Sequence, residues 1–112
     1  MQKECEGALQ QRIFIYHWNT YPSERGLLFH VNNNAKNRKA GAMLKAIGVV
    51  AGVSDLLYIH RGRLYALEVK LPKGRQSSAQ QAWQKAVEDA GCEYHILRSL
   101  DDFKQFKKEL DE

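Results

Sequence analysis

The chain has 112 residues, a net charge of +4 and two cysteines. That length suits one compact domain with a modest core and is too short for two. No apolar run approaches the about 18 to 20 residues needed to cross a bilayer. The start Met1-Gln2-Lys3-Glu4 lacks the charged-then-apolar pattern of a secretory signal, and Cys5 and Cys92 match no zinc spacing. One cytoplasmic domain spanning residues 1–112 is expected, with two ordinary thiols and no membrane contact.

In chain order, residues 3 to 18 read as a helix, because Leu9, Ile13 and Tyr16, with Phe14 and His17 beside them, recur at helical spacing until Asn19-Thr20-Tyr21-Pro22. Leu27 to Val31 is a short apolar strand, Asn32-Asn33-Asn34 a polar turn, and Ala35 to Ile47 a second helix with Met43, Leu44 and Ile47 expected inward. Val49 to Gly52 is a link of small residues. Two strands follow, Ser54 to His60 and Arg63 to Leu71, joined at Arg61-Gly62, where glycine can take the positive φ of a tight hairpin turn. Pro72 to Arg75 is a loop. Ser77 or Ser78 then caps a helix with an expected inward stripe of Ala79, Ala82, Trp83, Ala86, Val87 and Ala90, ended by Gly91. Cys92 to Leu97 is a last strand, and Leu100 to Leu110 a closing helix with Phe103, Phe106 and Leu110 on one side. The order α-β-α-β-β-α-β-α predicts an α/β fold, a mixed sheet flanked by helices. Both sheet faces are expected to be buried, since Leu56 to Ile59 and Leu64 to Leu67 are apolar without strict alternation.

Charge is unevenly distributed. Ten basic residues lie between Gly26 and Val87, interrupted by two acids alone, Asp55 and Glu68. Such a segment can present a basic face to a polyanion, nucleic acid first among them, or can be an ordinary solvated surface.

A hairpin folded about Arg61-Gly62 sets His60 opposite Arg63, Leu57 opposite Ala66 and Asp55 opposite Glu68. Cross-strand partners hold their Cβ atoms about 4.5 to 5.5 Å apart, where like charges repel. A hard divalent cation, Mg²⁺ or Mn²⁺, would offset the repulsion. Lys70, two positions past Glu68, projects from the same face by the period-two rule. Two carboxylates, an amine and a bound metal suffice for phosphodiester hydrolysis. Glu6, on the side of its helix shared with Leu9 and Ile13, is placed either as a third ligand or as a solvent-reaching edge residue. Gln80 borders the expected inward stripe of its helix, within range of Lys70 or as a plain helix glutamine. His17, His30, His60 and His95 share no ligand spacing.

The set Gly52-Val53-Ser54-Asp55, Leu67-Glu68-Val69-Lys70, Pro72-Lys73-Gly74-Arg75, Ser77-Ser78-Ala79-Gln80-Gln81-Ala82-Trp83 and Gly91, with Glu6-Gly7-Ala8-Leu9-Gln10 ahead of it, resembles the virus-type replication-repair nuclease family (VRR-NUC). That family is part of the PD-(D/E)xK superfamily, and the resemblance spans nearly the whole chain. It implies a restriction-endonuclease-like core, with Asp55, Glu68 and the main-chain carbonyl of Val69 as metal ligands. It further implies Lys70 as the catalytic lysine, Gln80 as its helper and Glu6 as an outer acid. Where the family usually has proline before the aspartate, this chain has Ser54, a change that loosens the backbone and removes no ligand.

Members consisting of this domain alone look like phage-encoded homodimers, so the resemblance implies an endonuclease for branched DNA such as Holliday junctions, with a role in DNA repair. Phosphate contacts are then expected from Lys36, Arg38, Lys39, Lys73 and Arg75. One centre per chain also calls for a two-fold dimer if both strands of a junction are cut. The competing expectation is a DNA-binding module that keeps the fold without catalysis. An enzyme acting on free nucleotides is disfavoured by the lack of a phosphate-cradling glycine loop.

Overall fold

The computed structural model describes residues 4–31 and 37–112. Its elements are α1 (Glu6–Thr20), a 3₁₀ turn (Pro22–Glu24), β1 (Leu28–His30), α2 (Arg38–Ala46), β2 (Leu56–His60), β3 (Arg63–Val69), α3 (Ser78–Asp89), β4 (Glu93–Leu97) and α4 (Leu100–Asp111). The succession adds one 3₁₀ turn to the expected one. The strands form a single mixed sheet in the order β1-β2-β3-β4, antiparallel between the first three and parallel between β3 and β4. No helix among the described residues is long and apolar enough to cross a membrane. Both cysteines are free thiols.

The hairpin turn sets the register of the two central strands. Arg61 and Gly62 both take positive φ, 50° and 77°, as a two-residue turn matched to strand twist requires. The pairing then runs His60 with Arg63, Leu57 with Ala66 and Leu56 with Leu67. Alternation sends Leu56, Tyr58, Tyr65, Leu67 and Val69 to one face. There they meet Leu9 and Ile13 of α1 and Phe103 and Phe106 of α4 in one core cluster.

Away from that core the expectations need correction. The opposite face is covered mainly toward β4, where Trp83 of α3 packs against the Tyr94 ring at 6.0 Å. Toward β1 it is open among the described residues, with Phe29 and Ile59 each more than a third exposed. The apolar residues of β1 and β2 therefore report strand propensity there rather than burial on both faces. On α2, Met43 and Ile47 are 62% and 69% exposed instead of inward. On α3, Ala82, Ala86 and Ala90 are exposed, and the helix rests on Ala79, Gln80, Trp83, Gln84 and Val87. Helical spacing identifies a stripe, but alanine's small side chain is nearly neutral as to which way the stripe turns. The expected turn at Asn32-Asn33-Asn34 and the start of the second helix lie outside the described residues, and Asn37 caps α2 by accepting from the Ala40 amide at 2.8 Å.

Gly52 fixes how the α2–β2 link meets α3. Its φ is +86°, and a methyl group there would collide with the backbone carbonyl of Ala79. Both effects forbid a side chain. Gly52→Ala is expected to destabilise the fold by more than about 1 kcal/mol, read as a loss of about 4 °C or more in melting temperature; Gly48→Ala, with nothing in the way of the added carbon, carries the φ penalty alone and should cost less.

Candidate active site

The register brings the two isolated acids together at the end of the β2–β3 ladder. Asp55 is the residue before β2, and its Oδ2 accepts from the Val69 amide at 2.8 Å. Its own carbonyl accepts from the Val31 amide at 3.3 Å and from His30 Nδ1 at 2.7 Å, which ties it to β1 as well. Ser54, fully buried, donates from Oγ to the Leu56 carbonyl at 2.9 Å. The position that was expected to loosen the backbone is thus pinned by its own hydroxyl, a local bond open to serine and closed to proline.

Glu68 sits inside the β3 strand and is fully buried. Its Oε2 accepts from the Tyr94 hydroxyl at 3.2 Å, while Oε1 is buried with no hydrogen-bond partner among the described residues. Burial, then the neighbouring Asp55 carboxylate, push its carboxyl from the ordinary 4.5 up to about 8, against the opposing pull of Lys70 and Tyr94. Lys70 is only 8% exposed and directs its Nζ to within 4.0 Å of Glu6 Oε2. Glu6 is half-buried at the start of α1, with its carboxylate close to Gly74. Asp55, Glu68, Lys70 and Glu6 therefore converge from β2, β3 and α1.

Gln80 does not join them. Its Oε1 accepts from the Ser77 amide at 2.8 Å while Ser77 Oγ accepts from the Gln80 amide, closing a capping box at the start of α3. Among the described residues no hydrogen bond links Gln80 to Lys70; the cap engages Oε1 and leaves the Nε2 group out of it. Val69 contributes its amide to Asp55. Arg38, Lys39, Lys73 and Arg75 are all exposed, and Lys36 lies outside the described residues.

Two residues at the site escaped the sequence reading. Tyr94 touches Glu68 directly. Arg98 donates from Nη1 to the carbonyls of Leu71, Pro72 and Gly74 at 2.7, 3.3 and 2.9 Å, clamping the loop that leaves β3 just after Lys70. The parallel pairing of β4 with β3, which sets Tyr94 beside Ala66 and Ile96 beside Glu68, is a tertiary fact with no local signature.

A second acidic cluster lies on the α1/α4 face of the sheet, where ligand atoms of Glu24, His60 and Asp111 come within 4.8 Å of one another. It already holds a cation. The Nζ of Lys107, 1% exposed, lies 3.0 Å from Glu24 Oε2 and 2.8 and 2.7 Å from the Asp111 oxygens. Glu24 also accepts from His17 and Tyr58. A charge pair whose hydrogen bonds are filled in this way is self-sufficient. The Asp55–Glu68 pair is not, since it leaves a buried carboxylate oxygen without a partner. Two crowded carboxylates with one orphaned oxygen make a hard donor set that suits Mg²⁺ or Mn²⁺ better than the histidine-bearing cluster does.

The folded protein holds the Glu68 proton at pH values where the unfolded chain has released it. Metal-free stability is therefore expected to fall as pH rises from about 5 toward 8, because over that window the native state binds more protons than the unfolded one. Glu68→Gln should flatten that slope and stabilise the metal-free protein near pH 8, as urea denaturation across the range will show; an unchanged slope would remove Glu68 as its source.

No family model matches the sequence, and no curated protein matches it. Among solved structures, a chain described as a "VRR_NUC domain protein" superimposes with a TM-score of 0.76, covering 98% of this chain and 90% of its own at 18% identity. This protein accordingly has the mixed α/β fold of a VRR-NUC nuclease-like domain.

Proposed function

We propose that the protein is a metal-dependent endodeoxyribonuclease that hydrolyses phosphodiester bonds in branched DNA. The observation that carries the reading is the buried, unpartnered Oε1 of Glu68 beside Asp55, with the Lys70 amine on the same face. In that condition the Glu68 carboxyl keeps its proton to about pH 8, and a cation bound beside it would take the proton's place. The fold shared with a VRR_NUC domain protein supports the same reading.

Asp55 and Glu68 would hold the ion, together with the Val69 carbonyl and with Glu6 as an outer acid. When bound, Mg²⁺ or Mn²⁺ would supply Lewis-acid polarisation of the phosphate and a water of lowered pKa. The chain's own part is positional. Asp55 is fixed by the Val69 amide and by the anchoring of its carbonyl to β1. Lys70, nearly buried, orients the attacking water or, by its positive charge, favours loss of that water's proton. Glu6 lies 4.0 Å from the Lys70 ammonium. Arg38, Lys39, Lys73 and Arg75, exposed on α2 and on the loop after β3, contact the phosphate backbone, with Lys36 just ahead of α2. Such contacts follow the shape of the DNA rather than its sequence.

The preference for junctions rests on the resemblance to stand-alone VRR-NUC members. So does a homodimer, which would bring two centres to two strands.

The test is cleavage of a four-way junction, a flap, a duplex and single-stranded DNA with Mg²⁺, with Mn²⁺ and with EDTA. Junction cutting that EDTA stops is expected. Lys70→Ala should lower the rate by about 10² to 10⁴-fold while leaving junction binding near native. Binding without cutting under every metal condition would instead establish a non-catalytic DNA-binding module, and native-rate cutting by Lys70→Ala would overturn the assignment of roles. Lys39→Ala should weaken binding to all DNA alike and reduce the slope of log affinity against log salt by about 1, measured by fluorescence anisotropy across a salt series.

A further inference from the structure

The two oxygens of Glu68 are treated differently. Oε2 is held by the Tyr94 hydroxyl at 3.2 Å, and Oε1 has no partner among the described residues. Tyr94 is itself held, because Gln76 Nε2 donates to its oxygen at 3.1 Å and to Gln84 Oε1 at 2.9 Å. A glutamine amide nitrogen has two protons, and both are used here. The Tyr94 oxygen therefore accepts from Gln76, and its single proton goes to Glu68. Gln76, in the loop before α3, thus donates both to Gln84 on α3, which anchors it, and to Tyr94 on β4, which in turn donates to Glu68 on β3.

A glutamate carboxyl turns readily about its last bond, whose torsional preference is broad and two-fold. Holding one oxygen from a fixed direction sets the plane of the group and so the aim of the other oxygen. We infer that Tyr94 is a positioning residue for the metal centre, directing Glu68 Oε1 at the ion, with Gln76 and Gln84 setting the direction of its hydroxyl. The inference rests on the nuclease reading above, since it assigns a function within that site. Outer partners of this kind typically change metal affinity or activity by about 10 to 100-fold when removed.

The competing account is packing alone. The Tyr94 ring is 8% exposed and lies edge-on to Trp83 at 6.0 Å. Phenylalanine keeps that ring contact and removes only the hydroxyl, so Tyr94→Phe separates the two accounts. Gln76→Ala leaves the ring untouched and acts on the same hydroxyl from its acceptor side.

Calorimetric titration of the full chain with MnCl₂, in the absence of DNA, reads the effect without reference to cleavage. Tyr94→Phe is expected to weaken Mn²⁺ binding by about 10 to 100-fold with native circular dichroism and urea midpoint. Gln76→Ala should weaken it less, and the double variant should be no weaker than Tyr94→Phe, because Gln76 acts through the hydroxyl. Glu68→Gln serves as the reference. If Glu68→Gln loses Mn²⁺ binding while Tyr94→Phe and Gln76→Ala bind as the native protein does, the positioning role is refuted, Tyr94 is a packing residue and the nuclease reading stands. If Glu68→Gln itself binds Mn²⁺ with native affinity, the metal site is elsewhere and both the reading and the inference fall.

Discussion

A carboxylate held inside a β-sheet next to another carboxylate is the constraint on which the rest of this structure turns. Glu68 has no access to water, stands beside Asp55 and leaves one oxygen unpaired. Nothing in the hydrophobic economy of the fold requires an acid there, since leucine would fill the same position on a central strand at no desolvation penalty. The surrounding elements act to keep the arrangement from relaxing. The hairpin turn at Arg61-Gly62 fixes which residues face each other, the Val69 amide and the β1 contacts immobilise Asp55, and Lys70, 4.0 Å from Glu6, supplies a nearby positive charge. Local destabilisation tolerated in this way is characteristic of sites shaped for chemistry rather than for stability.

The helices divide the work accordingly. α1 and α4 close the face that carries the apolar core, and the first turn of α1 also delivers Glu6 to the rim of the site. α3 covers the other face only near β4, so the site sits where the sheet is half covered: closed enough to bury Glu68, open enough to leave Lys73 and Arg75 in solvent. Gly52 sets how closely the strand carrying Asp55 can approach α3. The capping box of Ser77 and Gln80 begins that helix at the same place.

Much of this could be seen in the residues themselves, and the reason is local. A two-residue turn with glycine specifies strand register, and register alone predicts that Asp55 meets Glu68 and that Lys70 shares their face. The pairing observed up to Leu56 and Leu67, continued by the Val69–Asp55 bond, bears out that step. Contacts between distant segments were not legible. Nothing near Tyr94 or Arg98 announces that a parallel strand will bring one to Glu68 and the other over the loop after Lys70. Helix faces were half legible: periodicity located the stripes of α2 and α3 but not what would cover them, so Met43, Ile47 and three alanines were turned inward on paper and outward in the fold. Gln80 is a conflict of a third kind, in which a helix-capping bond competes for the side chain that catalysis was expected to use.

The two acidic clusters solve one electrostatic problem by opposite means. Around Glu24 and Asp111 the neutralising ion is Lys107, part of the polymer and present as soon as the chain folds. It fastens the last turn of α4 to the turn after α1 with no external cation. Around Asp55 and Glu68 the balance is left incomplete. The hold on α4 thus comes with the chain itself, whereas the charge state around Asp55 and Glu68 is set by the surrounding solution.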